Sequence, residues 1–147
     1  MKVYKNVIIA VDLHLDCDNT AIEKGIELAK TSGAVVNIIH AVEHINAYGV
    51  AEAYSAVMDV ETQLVEEARK ELARLGERFN IPPANQYLEI GAPRTVILNK
   101  AKELHADLIV VGSHGRHGLQ LLLGSTANAV IHHANCDVLA VRVPEEK

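Results

Sequence analysis

The sequence predicts an α/β protein, an open five-stranded parallel sheet with helices on both faces, and three observations carry that expectation. Five short runs rich in Val and Ile are separated by segments whose apolar residues recur at helical spacing. The runs are apolar throughout rather than alternating, which is how strands covered on both faces read. Aromatic residues make up only 3% of the chain, with no Trp and a single Phe, so the core is built from Val, Ile, Leu and Ala. Strands separated by helices lie parallel, with right-handed crossovers.

The first strand is Asn6-Val7-Ile8-Ile9-Ala10-Val11-Asp12, closed by a polar cluster reaching Asn19. From Thr20, Ile22, Ile26 and Ala29 fall at i, i+4 and i+7, with Asp18 or Asn19 placed to cap this first helix and Gly33 to end it. Ala34 to Ala41 forms the second strand, and Glu43 to Ala53, lacking a clean period, reads as a loop. A long second helix from Ala56 to Phe79 carries Val57, Val60, Leu64, Ala68, Leu72 and Leu75 as its inward stripe, with Glu66 four residues before Lys70 on the outer side. Ile81-Pro82-Pro83 stops it. The third strand is Gln86 to Ile90. Gly91-Ala92-Pro93 then turns into a third helix, with Pro93 at its first position and Val96, Ile97, Ala101 and Leu104 inward. Asp107 to Val111 is the fourth strand, a loop bearing Gly and His leads to a fourth helix from Gly124 to His133, and Val138 to Val143 is the fifth strand. Ligands of such sheets sit beyond the carboxyl ends of the strands, where strand order reverses. That singles out Asp12 to Cys17, Ala41 to Glu43, Gly91 to Arg94 and Gly112 to Ser125.

A length of 147 residues suits one domain over 1–147. The net charge is −5, and the 14 Lys and Arg are interspersed with acids, so no basic patch is available for nucleic acid or anionic lipid. Few aromatics remain for stacking on single strands. No nucleic-acid or membrane partner is expected. Met1 to Lys5 runs straight into an apolar strand too short for a signal-peptide core, which gives a cytoplasmic expectation. Cys17 and Cys136 lie far apart with no C-x-x-C partner and read as reduced thiols. Cys17, near the first helix, reads as a packed or idle thiol ahead of a redox sensor. Among eight histidines, neither His114-x2-His117 nor His132-His133 brings three or four ligands together, so no metal is expected. His40, ending a buried strand, reads as a hydrogen-bonded core or rim residue ahead of a ligand. Leu13-His14-Leu15-Asp16 stands where a nicotinamide enzyme needs G-x-G-x-x-G, and Gly112-Ser113-His114-Gly115 lacks the G-x-S-x-G spacing of a hydrolase elbow. No catalytic residue is assigned.

The most informative stretch runs from Val111-Gly112-Ser113-His114-Gly115-Arg116-His117-Gly118 to Gly124-Ser125-Thr126. Glycines leave backbone N–H groups open to a phosphate, and a helix starting near Gly124 or Ser125 points its positive end at the same anion. The alternative stays open that Gly112 and Gly115 only turn the chain and Ser125 only caps the helix.

This stretch, with Lys5 to Asp12, Ile38-Ile39-His40-Ala41, Gly91-Ala92-Pro93, Ala106 to Gly115 and Cys136-Asp137-Val138-Leu139-Ala140-Val141, resembles the universal stress protein family over essentially the whole chain. The resemblance implies a flavodoxin-like or Rossmann-like sheet of the adenine nucleotide alpha hydrolase-like kind, a homodimer, and a role in bacterial stress survival. Its ATP-binding members carry G-x2-G-x9-G-[S/T]. Here Gly112-x2-Gly115 fits, while eight residues, Arg116 to Leu123, precede Gly124-Ser125. At a spacing of nine, Ser125-Thr126 would occupy the Gly-Ser place. By position the resemblance implies Asp12 at the adenosine end and the backbone of Ala41 at the adenine edge. It implies Gly112, Gly115, Gly124, Ser125 and Thr126 at the phosphates, with Arg116 and His117 placed to approach a polyphosphate. Two readings follow: a regulatory module binding ATP or another adenine nucleotide, with Mg²⁺, and a non-nucleotide dimeric interaction protein. A weak ATPase is a third. The expected homodimer forms through the C-terminal strand, Val138 to Val143, whose apolar edge otherwise invites uncontrolled pairing.

Overall fold

The computed structural model describes residues 3–13, 19–44, 51–113 and 124–143, with backbone alone for 51–55. The elements run β1 (Asn6–Ala10), α1 (Thr20–Ser32), β2 (Val35–Val42), α2 (Ala51–Arg78), a 3-10 turn (Pro83–Asn85), β3 (Gln86–Ile90), α3 (Pro93–Glu103), β4 (Leu108–Ser113), α4 (Ser125–His133) and β5 (Asp137–Arg142). The five strands form one sheet in the order β3-β2-β1-β4-β5, every pair parallel. This is the Rossmann-type order rather than the flavodoxin one, and the direction of winding reverses between β1 and β4.

Alternate residues of each strand face opposite layers. Val7, Ile9, Ile38, Leu108, Val110 and Val141 pack with Ala21, Ile22, Ala29 and Leu72, so α1 and α2 cover one face. Ile8, Ile39, Ile109 and Val111 pack with Val96, Ile97, Ala101, Ala127 and Val130, so α3 and α4 cover the other. The aliphatic, doubly covered core expected from composition is present, and Ile8, Ile9, Ile38 and Val110 are wholly buried.

α1 begins at the expected place, but Asn19 at its N-cap makes no side-chain capping bond; Asp18 lies outside the described residues. Gly33 ends the helix at φ 69°, the left-handed conformation that glycine adopts without Cβ strain. α2 departs from expectation. It starts at Ala51, inside the stretch read as loop, and Val60 and Leu64 are exposed, while the stripe holds at Ala68 and Leu72. Its 28 residues extend about 42 Å at 1.5 Å each, against about 26 Å for the eight-residue β2, so the helix overhangs the sheet. There Glu61 is buried instead, and the Nδ1 of His44 donates to its Oε1 at 2.7 Å.

At the edge of the sheet, Lys100 of α3 buries all but 9% of its side chain between Glu89 of β3 at 3.1 Å and Glu103 at 3.0 Å. Its ammonium stands 4.8 Å from the Tyr87 ring centre, which ties the outer strand to the helix.

A polar seam crosses the amino ends of all five strands. The Tyr4 hydroxyl donates to Asp137 at the start of β5, and the Lys5 and Asn6 amides donate to the two carboxylate oxygens of Asp107, just before β4. Asn37 of β2, 2% exposed, donates to the Asn6 side chain at 2.6 Å and receives the Asn85 amide at 2.9 Å, while Asn6 itself donates to the Leu104 carbonyl. Each buried amide is satisfied, as a low-dielectric interior demands.

Candidate functional site

The carboxyl ends of the strands carry the other rim. β1 ends at Ala10, and Val11 prolongs the ladder by one bond, its amide donating to the Ile39 carbonyl at 2.9 Å. Asp12 follows, half-buried. One strand away, Ala41 sits in β2, half-buried, with its side chain against the core on the α3/α4 face. On the other side of β1, β4 runs two residues past Val111 to Ser113, whose carbonyl accepts from the Val143 amide at 3.1 Å, so Gly112 is the penultimate residue of a paired strand.

α4 points its amino end at the same rim. Its N-cap is Gly124, in extended conformation at φ −57° and ψ 153°, and the Gly124 carbonyl accepts the first helical bond from Asn128 at 2.9 Å. Ser125 is therefore the first helical residue rather than the cap, and among the described residues no side chain caps the helix. The first amides of a helix have no partner within it, and the helix dipole adds positive potential there. Ser125 is exposed and Thr126 half-buried, with Ala127 and Val130 anchoring the helix to the sheet.

Asp12, Ala41, Gly112, Gly124, Ser125 and Thr126 thus share the carboxyl rim around the β1/β4 reversal. Gly115, Arg116 and His117 lie outside the described residues, as do Cys17, His114 and the spacing of the loop between Gly115 and Gly124. His132 and His133 end α4, exposed and at the far side of the sheet.

Two contacts on this rim escaped the sequence reading. The His40 ring donates through Nδ1 to the Val11 carbonyl at 2.8 Å, so of the two places expected for a hydrogen-bonded histidine, core or rim, it takes the rim, with a partner that could not be read. The His44–Glu61 bond fastens the end of β2 to α2. A signal for it existed: Glu61 stands seven residues before Ala68, on the line that a 3.6-residue period turns inward.

A parallel sheet in 3-2-1-4-5 order, with helices on both faces, defines a Rossmann-type α/β domain. The universal stress protein family model matches residues 3–142. Universal stress protein A homolog 2 of Coxiella burnetii is 47% identical over 143 residues, covering 97% of this chain and 98% of the relative. The chain belongs to the universal stress protein family. Among solved structures, the universal stress protein UspA of Lactobacillus plantarum superposes with a TM-score of 0.78 at 23% identity, covering 95% of this chain and 98% of that one. A universal stress protein in complex with cAMP gives 0.61 at 25% identity, over 96% and 98% of the two chains. A family member from Arabidopsis thaliana with AMP bound gives 0.61 at 18% identity, over 95% and 92%. Among the described residues, no helix is long and apolar enough to cross a membrane.

Proposed function

We propose that this protein is a regulatory module of the stress response that binds an adenine nucleotide in the β1/β4 crevice. One observation carries the reading: Asp12, Ala41, Gly112 and the uncapped start of α4 stand on one rim, around the point where the sheet reverses. The complexes of two structural relatives with cAMP and AMP support it. Asp12 holds the adenosine end by accepting hydroxyl hydrogen bonds, and the backbone of Ala41 meets the adenine edge. Gly112, Gly115, Gly124, Ser125 and Thr126 hold phosphates through backbone amides and two hydroxyls, and Arg116 and His117 approach the outer phosphates. Bound as its Mg²⁺ complex, ATP would bring a charge-neutralising ion to those phosphates. The work of the chain is to bind, orient and report; it acts in the cytoplasm as a homodimer joined along β5.

Calorimetry with Mg-ATP and with AMP tests the reading. Heat is expected with both, and Gly115→Val is expected to abolish it while leaving the circular dichroism spectrum unchanged, because a Cβ there keeps phosphate from the backbone donors. No heat and no thermal shift at millimolar nucleotide would overturn it. That outcome favours the second reading, a non-nucleotide dimeric interaction protein, for which the eight residues between Gly115 and Gly124 speak.

A further inference from the structure

We propose that His40 is a positioning residue of this site, which sets through the Val11 carbonyl where Asp12 stands; the proposal rests on the adenine-nucleotide reading above. In a parallel pair the N–H and C=O of a bonded residue face the same neighbouring strand. β1 and β2 hold register from Asn6↔Val35 to Ala10↔Ile39, and Val11 extends it by donating to the Ile39 carbonyl. The Val11 carbonyl therefore faces β2, where a continued ladder would offer it the Ala41 amide. Here a side chain serves it, His40 Nδ1 donating at 2.8 Å. An imidazole reaches further from its own backbone than an amide N–H does. β1 can thus part from β2 at this peptide, opening the rim, without leaving a carbonyl unsatisfied.

The peptide that bears this carbonyl ends in the Asp12 nitrogen, and its six atoms are coplanar. Orienting the Val11 carbonyl therefore orients the first bond of Asp12. The anchor is itself held, since Gly91 donates to the Val42 carbonyl at 2.9 Å and His44 bonds Glu61 of α2. His40 also directly precedes Ala41. One side chain therefore links the two residues assigned to the nucleoside, so its influence falls on adenosine rather than on phosphate.

Calorimetry and NMR test this. His40→Leu is expected to weaken adenosine and ATP by the same factor, about tenfold, as one lost hydrogen bond would. His40→Asn, whose Nδ2 stands where the imidazole Nδ1 stood, is expected to restore most of that affinity. In an Asp12→Ala background, His40→Leu is expected to cost nothing further. In the ligand-free protein, the Asp12 amide nitrogen resonance is expected to move in His40→Leu and to return in His40→Asn. If the Leu variant does not fold, His40→Gln, which puts its amide at the Nε2 place, serves as the non-rescuing partner. An unmoved Asp12 resonance, additive losses in the double variant, a loss for ATP alone, or no rescue by Asn overturns the role of His40. A wild type that binds neither compound overturns the nucleotide reading, and the positioning role with it.

Discussion

Gly25 of α1 packs directly against Ile9 of β1. A Cβ built there would stand 2.7 Å from Ile9 Cδ1 and 3.0 Å from Ile9 Cγ1, so the wholly buried Ile9 side chain would have to shift within the core to admit it. Gly25→Val is therefore expected to lower the unfolding free energy by about 1–3 kcal/mol, the usual cost of overpacking, read as a shift in urea midpoint. Protonation at single residues gives a second expectation. The Asp137 carboxylate that accepts from Tyr4 raises that phenol above its ordinary 10.0, and burial raises the Cys136 thiol above 9.0. For Lys100, burial alone would lower the ammonium, but the Glu103 and Glu89 carboxylates outweigh it and hold it above 10.5. All three bind their proton more tightly folded than unfolded, so the unfolded chain releases protons first. Stability is thus full below the unfolded values and falls as pH rises through the folded ones. Urea midpoints are expected to decline from about pH 9 upward, and Cys136→Ala to delay the onset of that decline. A flat midpoint between pH 8 and 11 would contradict the sign.

The elements differ in how far they could be read. Leu72→Ala is expected to cost about 2–5 kcal/mol, because it empties a site 3% exposed beneath the trailing half of α2. Leu64→Ala, on the leading half and 41% exposed, is expected to cost within about 0.5 kcal/mol. Equal losses in denaturant unfolding would mean that the whole helix is packed. A hydrophobic stripe tells which face of a helix is apolar, not whether a sheet lies under it, so Val60 and Leu64 misled while Ala68 and Leu72 did not. β3 and the start of α3 were legible to the residue, because Pro83 and Pro93 punctuate them. At the rim, the places of Asp12 and Gly112 were legible to within two residues of a strand end, β1 stopping at Ala10 and β4 running on to Ser113. The bond of His40 was not, since a partner 29 residues away leaves no local trace, and for the His44 bond the inward phase of Glu61 marked one partner but not the other.

For the molecule as a whole, β5 lies at the margin of the sheet, paired with β4 on one side. We expect a second copy to close the other side, antiparallel across a two-fold axis, and Ala140→Pro to yield monomer or aggregate in light scattering. An unchanged dimer would place the interface elsewhere. The seam from Tyr4 through Asp107, Asn6 and Asn37 to Asn85 gives the sheet two unlike ends, for it stitches every strand at the amino side. Deuterium should then enter the backbone unevenly. Amides of Val7, Asn37 and Ile109 become accessible only when the chain unfolds globally, whereas those near Val11, Ala41 and Ser113 exchange through small openings that leave the stitched end intact. Were a nucleotide to bind as proposed, the edge it meets would then be the one left free to give, with the seam acting as the spine of a book that holds the opposite edge closed.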